Sequence, residues 1–151
     1  MTDATDAVAR IEQSVLALLR RANDPRGNQR INELAGIDIE RAGAVMLARV
    51  EELQPARLSL LAEAAGLDVS TASRQVARLV EQGYVERTSD PSDARAVLHR
   101  LSPAGAELRR RLRGAVRTFF DAALQGFSDE EREVLAGLLG RLVDGVLESS
   151  A

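Results

Sequence analysis

The apolar period of this chain changes at Gly83, and that change restricts the fold more than any other feature. Before it, "LSLLAEAAGLDVSTASRQVARLVEQG" repeats its apolar residues at the spacing of one helix face. Leu60, Leu61, Ala64 and Ala65 mark a first short helix that stops at Gly66. A second starts near Ser70 and turns Ala72, Val76, Leu79 and Val80 inward. After Gly83 the pattern alternates. In "YVERT", Val85 and Arg87 stand against Glu86 and Thr88; in "RAVLHRL", Val97 and His99 stand against Leu98 and Arg100. The turn formers "SDPSDA" join these two strands, which puts Arg95 at or near the hairpin's turn. The expected fold is mainly α with a small β-hairpin wing attached to a helix-turn-helix.

The outer face of the second helix carries Thr71, Arg74, Gln75 and Arg78 at i, i+3, i+4 and i+7, with Ser70 and Ser73 beside them. Such side chains can read duplex DNA. Arginine donates two hydrogen bonds to guanine, glutamine pairs with adenine, and threonine touches phosphate or a thymine methyl. The small Ala72 and Ala77 are expected to let the helix approach closely, and the preceding turn to aim its N-terminal half at a major groove. On the hairpin, Arg87, Asp93 and Arg95 are the candidate contacts.

Helices flank this middle. Val8, Ile11, Val15, Leu18 and Leu19 form one stripe over residues 7–20, and "NDPRGN" at 23–28 breaks it. Residues 29–38 fit a helix or a loop; a clearer helix covers about 39–52 with Ala42, Val45, Met46 and Val50 inward. Ser102-Pro103 reads as an N-cap followed by a first-turn proline. Leu108, Leu112, Val116, Phe119, Phe120 and Leu124 then continue a stripe to about residue 125, and the phenylalanines are expected in the core. Ser128 and Glu131 make a capping box for a last helix bearing Val134, Leu135, Leu138, Leu139, Leu142, Val143, Val146 and Leu147. A stripe so wide must bury two sides, which calls for a second copy of the chain. The expected organisation is a winged helix-turn-helix domain at 39–102, with 1–38 and 103–151 forming a helical dimerisation region. Ile11, Val15, Leu135, Leu138, Leu139, Leu142 and Val146 are its interface candidates.

Charge is distributed to match. The whole chain is at −3, yet residues 57–117 hold 11 Arg against 7 acids, and the last 34 residues hold 2 Arg against 7. All 20 basic residues are arginine. A basic middle can meet a polyanion because salt screens the distant acidic ends. The absence of cysteine excludes disulfides, thiolate chemistry and thiol redox sensing. There is no glycine-rich phosphate loop, no activated nucleophile and no metal-ligand set, so neither an enzyme, a metal nor a cofactor is expected. His99, the single histidine, lacks companions for catalysis and reads as a half-buried strand residue. No signal peptide or membrane span is apparent, and a cytoplasmic location is expected.

The ordered series "GYVER", Asp93-Ala94-Arg95 and "LSPAG", set in residues 58–108, resembles the MarR family of bacterial transcription regulators. The resemblance implies that Arg95 enters the minor groove while Asp93 holds its guanidinium. It also implies a homodimer built from the first and last helices on a palindromic operator of double-stranded DNA. Repression and release by a small-molecule effector are the usual family outcome. The physics agrees for Arg95, because a narrow A·T-rich groove concentrates negative potential and arginine is weakly hydrated. Leu60, His99 and Arg100 depart from the family pattern. The alternative reading is a winged module whose basic face docks an acidic protein.

Overall fold

The computed structural model describes residues 4–149; residues 1–3 and 150–151, which the expected dimerisation region includes, lie outside them. The described residues form seven helices and a three-stranded antiparallel sheet. They divide into two compact units, Met1–Ala115 and Val116–Ala151.

In the first unit, α1 (Ala4–Ala22) carries the N-terminal stripe. A break does follow α1, but helix α2 (Pro25–Ala35) narrows it from the expected 23–28 to Asn23 and Asp24. Asp24 and Pro25 are turn formers, but here they start a helix: Asp24 Oδ1 accepts from Arg26 N at 2.9 Å and Pro25 occupies the first turn. Gly36, at φ 62°, closes α2 in the left-handed conformation. From α6 (Pro103–Ala123), Arg111 Nη2 donates to the carbonyls of Ala35 and Gly36 at 2.5 and 2.6 Å, satisfying that helix end.

Helix α3 (Arg41–Leu53) buries Gly43, Met46, Leu47 and Val50. Ala42 and Val45, expected inward, are exposed; the helix is rotated so that Leu47 takes the core position. Gly43 permits this. A Cβ there would stand 3.3 Å from Ile39 Cγ1 and 3.9 Å from Leu79 Cδ2. The helix-turn-helix is α4 (Leu58–Ala65) and α5 (Val69–Glu81), with Gly66 at φ 63° between them. Leu61, Ala62, Ala72, Val76 and Leu79 join Met46, Leu47, Val50, Leu108 and Leu112 in one core. Burying a leucine, valine or methionine there stabilises by roughly 1.5–3 kcal/mol each. Ala72, expected to ease approach to DNA, is instead fully buried, so its small size lets α5 sit close to the core.

The strands are β1 (Ala56–Arg57), β2 (Val85–Asp90) and β3 (Asp93–Leu101), in the order β1-β3-β2. The hairpin strands run further than the sequence suggested: Asp90 faces Asp93 across the turn, leaving Pro91 and Ser92 as the loop. Arg95 therefore lies within β3, two residues past the turn. A register shift falls between Ser89 and Asp90. Helix α6 begins as expected, with Ser102 Oγ accepting from Gly105 N at 3.0 Å.

In the second unit, α7 (Asp129–Glu148) has the expected capping box, Ser128 with Glu131. No residue of α7 is buried. Phe119, Phe120 and Phe127 are also exposed, which corrects their placement in the core. Phe119 and Phe120 meet edge to face, ring centres 5.7 Å apart. Among the described residues no helix is long and apolar enough to cross a membrane.

Candidate nucleic-acid interface

Helix α5 is fixed at its start by Asp68, whose Oδ1 accepts from Thr71 N at 2.9 Å and from the Ser70 hydroxyl at 2.5 Å. These bonds from Ser70 and Thr71 hold the Asp68 carboxyl well below the usual carboxylate range. The Ser70 proton is thus directed to Asp68, and Ser70 can offer an incoming group only its lone pairs unless that bond breaks.

At about 3.6 residues per turn, the line opposite the buried Ala72, Val76 and Leu79 is Ser70, Arg74, Ala77 and Glu81. Arg74 is exposed at its centre, and Ser73 is exposed beside it. Thr71 and Gln75 are half-buried on one flank, where Thr71 Oγ1 accepts from Arg74 Nη2 at 3.1 Å. Arg78 is exposed, but its Nη1 pairs with Glu40 at 2.9 Å. Val69 opens the helix with its side chain exposed, an apolar group where a thymine methyl could be met.

On the wing, Arg87 and Arg95 are exposed on β2 and β3. Asp93 Oδ1 accepts from the Arg95 backbone N–H at 3.1 Å, and its Oδ2 lies 3.5 Å from Arg57 Nη2. The expected link from Asp93 to the Arg95 guanidinium is not among the hydrogen bonds of the described residues. Within residues 39–102 four of the eight arginines face a carboxylate: Arg49 has Glu52, Arg57 has Asp90 and Asp93, Arg78 has Glu40, and Arg100 has Glu86. Arg41 donates to the Ala22 carbonyl. Among the described residues of this stretch, the cations left with neither an acid nor a carbonyl partner are Arg74, Arg87 and Arg95, all on the recognition helix or the wing.

His99 sits under the wing, buried, facing Arg87 across the strands, with Nδ1 3.4 Å from the Ala56 carbonyl. Burial pushes its imidazole below the usual value of 6.5; the Ala56 carbonyl opposes the shift and the Arg87 charge adds to it. The fold therefore favours neutral His99. Its contribution is fully present above the unfolded value and is lost as pH falls from about 6.5 through the folded pKa. Melting temperatures of the wild type and His99→Gln, taken between about pH 7.5 and 5.5, should show the variant losing less stability on acidification. Equal slopes would sink this account of His99.

Sequence reasoning missed Asp68, Arg57, Glu40 and Val69. Asp68 was legible as an N-cap residue before an apolar period, whereas Arg57 and Glu40 act on residues 33 and 38 positions away and left no local signal.

The MarR family model matches residues 39–97, the stretch from just before α3 into β3. The helix-turn-helix-type transcriptional regulator YxaD of Bacillus subtilis (strain 168), itself uncharacterised, is 34% identical over 105 residues, 70% of this chain and 73% of YxaD. This chain belongs to the MarR family. It is a MarR-family transcriptional regulator, and the family is one of regulators rather than enzymes. The fold agrees at full length. A MarR family protein from Bacillus stearothermophilus superposes with a TM-score of 0.81 at 23% identity, over 97% of this chain and 99% of that one. A mutant of MarR from E. coli, solved in complex with operator DNA, superposes with a TM-score of 0.64 at 21% identity, over 93% and 99%.

Proposed function

We propose that this MarR-family regulator is a ligand-responsive repressor that binds a palindromic DNA operator as a homodimer. The observation that carries the reading is the placement of the acid-free arginines. Arg74 stands at the centre of the exposed face of α5, while Arg87 and Arg95 stand on the wing. With α5 in a major groove, Arg74 is the side chain best placed to donate to guanine O6 and N7. Arg95 would occupy the adjoining minor groove. Arg78 takes part only by exchanging Glu40 for phosphate or base.

The homodimer rests on α7, where Leu138, Leu139, Leu142 and Val146 are exposed and Leu135 is half-buried, and on Ile11, exposed on α1, with the half-buried Val15. A second copy would cover the apolar face of each of these helices and present two recognition helices to successive grooves. For the effector, a groove of about 660 Å³ lined in part by Asn28, Asn32, Asp38 and Glu40 adjoins the Arg78–Glu40 pair, so occupancy there could act on Arg78.

Selection from random duplexes followed by fluorescence anisotropy across a salt series tests the reading. A specific regulator yields one palindromic sequence, held about 10³-fold or more above scrambled duplex, with a steep salt dependence. Equal, weak binding to both sends the basic face to a protein partner instead. On the selected duplex, Arg95→Ala should weaken binding by ~1–3 kcal/mol with the fold intact; unchanged affinity would remove the wing from the interface.

A further inference from the structure

The wing tip carries two carboxylates where a DNA contact is proposed. Asp90 and Asp93 face each other across the hairpin turn, and phosphate repels both. Arg57, from β1, meets them together. Its Nε and Nη2 donate to Asp90 Oδ2 at 3.2 and 2.7 Å, and Nη2 lies 3.5 Å from Asp93 Oδ2. The Asp90 side chain is only 12% exposed under this contact. The other carboxylate oxygens turn into the hairpin. Asp90 Oδ1 accepts from Ser92 N and Oγ at 2.9 and 2.6 Å, and Asp93 Oδ1 accepts from the Arg95 N–H at 3.1 Å. Hydrogen bonds from Ser92, and then the Arg57 pair, hold the Asp90 carboxyl down to about 2, so it stays charged at neutral pH.

The contact also requires a bent wing. Arg57 pairs with Leu98 of β3, and Asp93 lies five residues before it, at the start of that strand. A straight strand would set those positions ~17 Å apart, at ~3.3 Å per residue, farther than an arginine side chain spans. The hairpin end must therefore curl back toward β1. The register shift between Ser89 and Asp90 supplies such a bend.

We propose that Arg57 is a positioning residue for DNA recognition: it cancels the wing's carboxylate charge and holds the bent tip in the pose from which Arg95 reaches the groove. This rests on the wing touching DNA as proposed above. With Arg57 in place, Asp90, Asp93, Arg57 and Arg95 sum to zero charge; without it the tip is negative. Through Asp93, the same guanidinium secures the backbone from which the Arg95 side chain departs.

The test uses the full chain and the duplex recovered by selection, with the base pairs under the wing changed from A·T to G·C. The readout is the ratio of affinities for the two flanks. Arg95→Ala sets the reference for a lost wing contact. Arg57→Gln should lower the flank preference about tenfold, as Arg95→Ala does, while preference at the bases read by α5 persists. Asp90→Asn separates positioning from charge. Removing a negative charge alone would tighten binding to both duplexes and leave the ratio unchanged, whereas a released tip lowers the ratio. Arg57→Lys, which keeps the charge without the fork, should fall between. Thermal melts monitor folding, and if Arg57→Gln does not fold, Asp90→Asn and Arg57→Lys decide. Wild-type ratios in the Arg57 and Asp90 variants, with the ratio lost in Arg95→Ala, would overturn the role of Arg57 alone. A wild-type ratio in Arg95→Ala as well would overturn the wing reading beneath it.

Discussion

Replacing Leu139 by aspartate is expected to turn the protein into a monomer and to lower operator affinity by roughly 10²–10⁴-fold. Leu139 is exposed near the middle of α7, a helix of which no residue is buried. On a second copy such a leucine contributes about 1.5–3 kcal/mol by burial. An unpaired carboxylate at the same position must be desolvated, at a cost of several kcal/mol per protomer, and the symmetry of the dimer applies it twice. Operator affinity should follow because, in the proposed dimer, one recognition helix would hold the second at high effective concentration over its half-site. Loss of the dimer removes that gain without changing a single protein–DNA contact.

The variant should remain folded where DNA is read. The core that supports α5 and the wing is drawn from residues no later than Leu112 and includes nothing from α7. Sedimentation would report the change of mass, and anisotropy on scrambled duplex should show non-specific binding changed far less than operator binding. A Leu139→Asp protein that still sediments as a dimer would displace the interface from α7. A monomer that keeps operator affinity would refute the palindromic mode of binding.

The parts of this molecule legible in the sequence are those whose physics is local. Ala72, Val76 and Leu79 repeat at a helical period because α5 lies on a single core, and the core is where they are found. The change of period at Gly83 marked the hairpin, and Ser128 with Glu131 marked the start of α7, because a capping box closes within four residues. Asp24-Pro25 was ambiguous for an equally local reason: the residues that form turns also begin helices. Strand β1 has two residues, too few to show any alternation. Its importance comes from Ala56 and Arg57 meeting His99 and Asp90, contacts that span 43 and 33 positions. Glu40 withdraws Arg78 from the unpaired set by a similar long-range pair. Pattern alone could thus place the arginines on a face, and only the fold could say which of them are already partnered.

Gly105→Ala should be the most damaging single methyl in the winged unit, although it replaces glycine by a better helix former. Alanine in a helix interior is favoured over glycine by about 1 kcal/mol. At Gly105, however, the added Cβ would lie 1.9 Å from the carbonyl oxygen of Tyr84 and 2.9 Å from its carbonyl carbon. The obstacle is backbone, which cannot rotate away as a side chain does. It is also tied in place. Tyr84 O accepts from Ser102 N at 3.0 Å, Ser102 Oγ donates to Gly83 O at 2.5 Å, and Tyr84 N donates to Leu79 O at 2.9 Å. The first turn of α6 therefore rests directly on the link between the recognition helix and the wing. Relieving the clash means lifting α6 and breaking its cap, so the expected loss lies at or above the upper end of the ~1–3 kcal/mol typical of overpacking. Gly114→Ala, on the same helix, is the control. Among the described residues its Cβ would meet nothing within 4 Å, and the change should stabilise by up to ~1 kcal/mol. Chemical denaturation of the two variants reads both signs. If Gly105→Ala melted like the wild type, α6 could shift freely over Tyr84, and the rigid seat it gives to the recognition helix and wing would have to be abandoned.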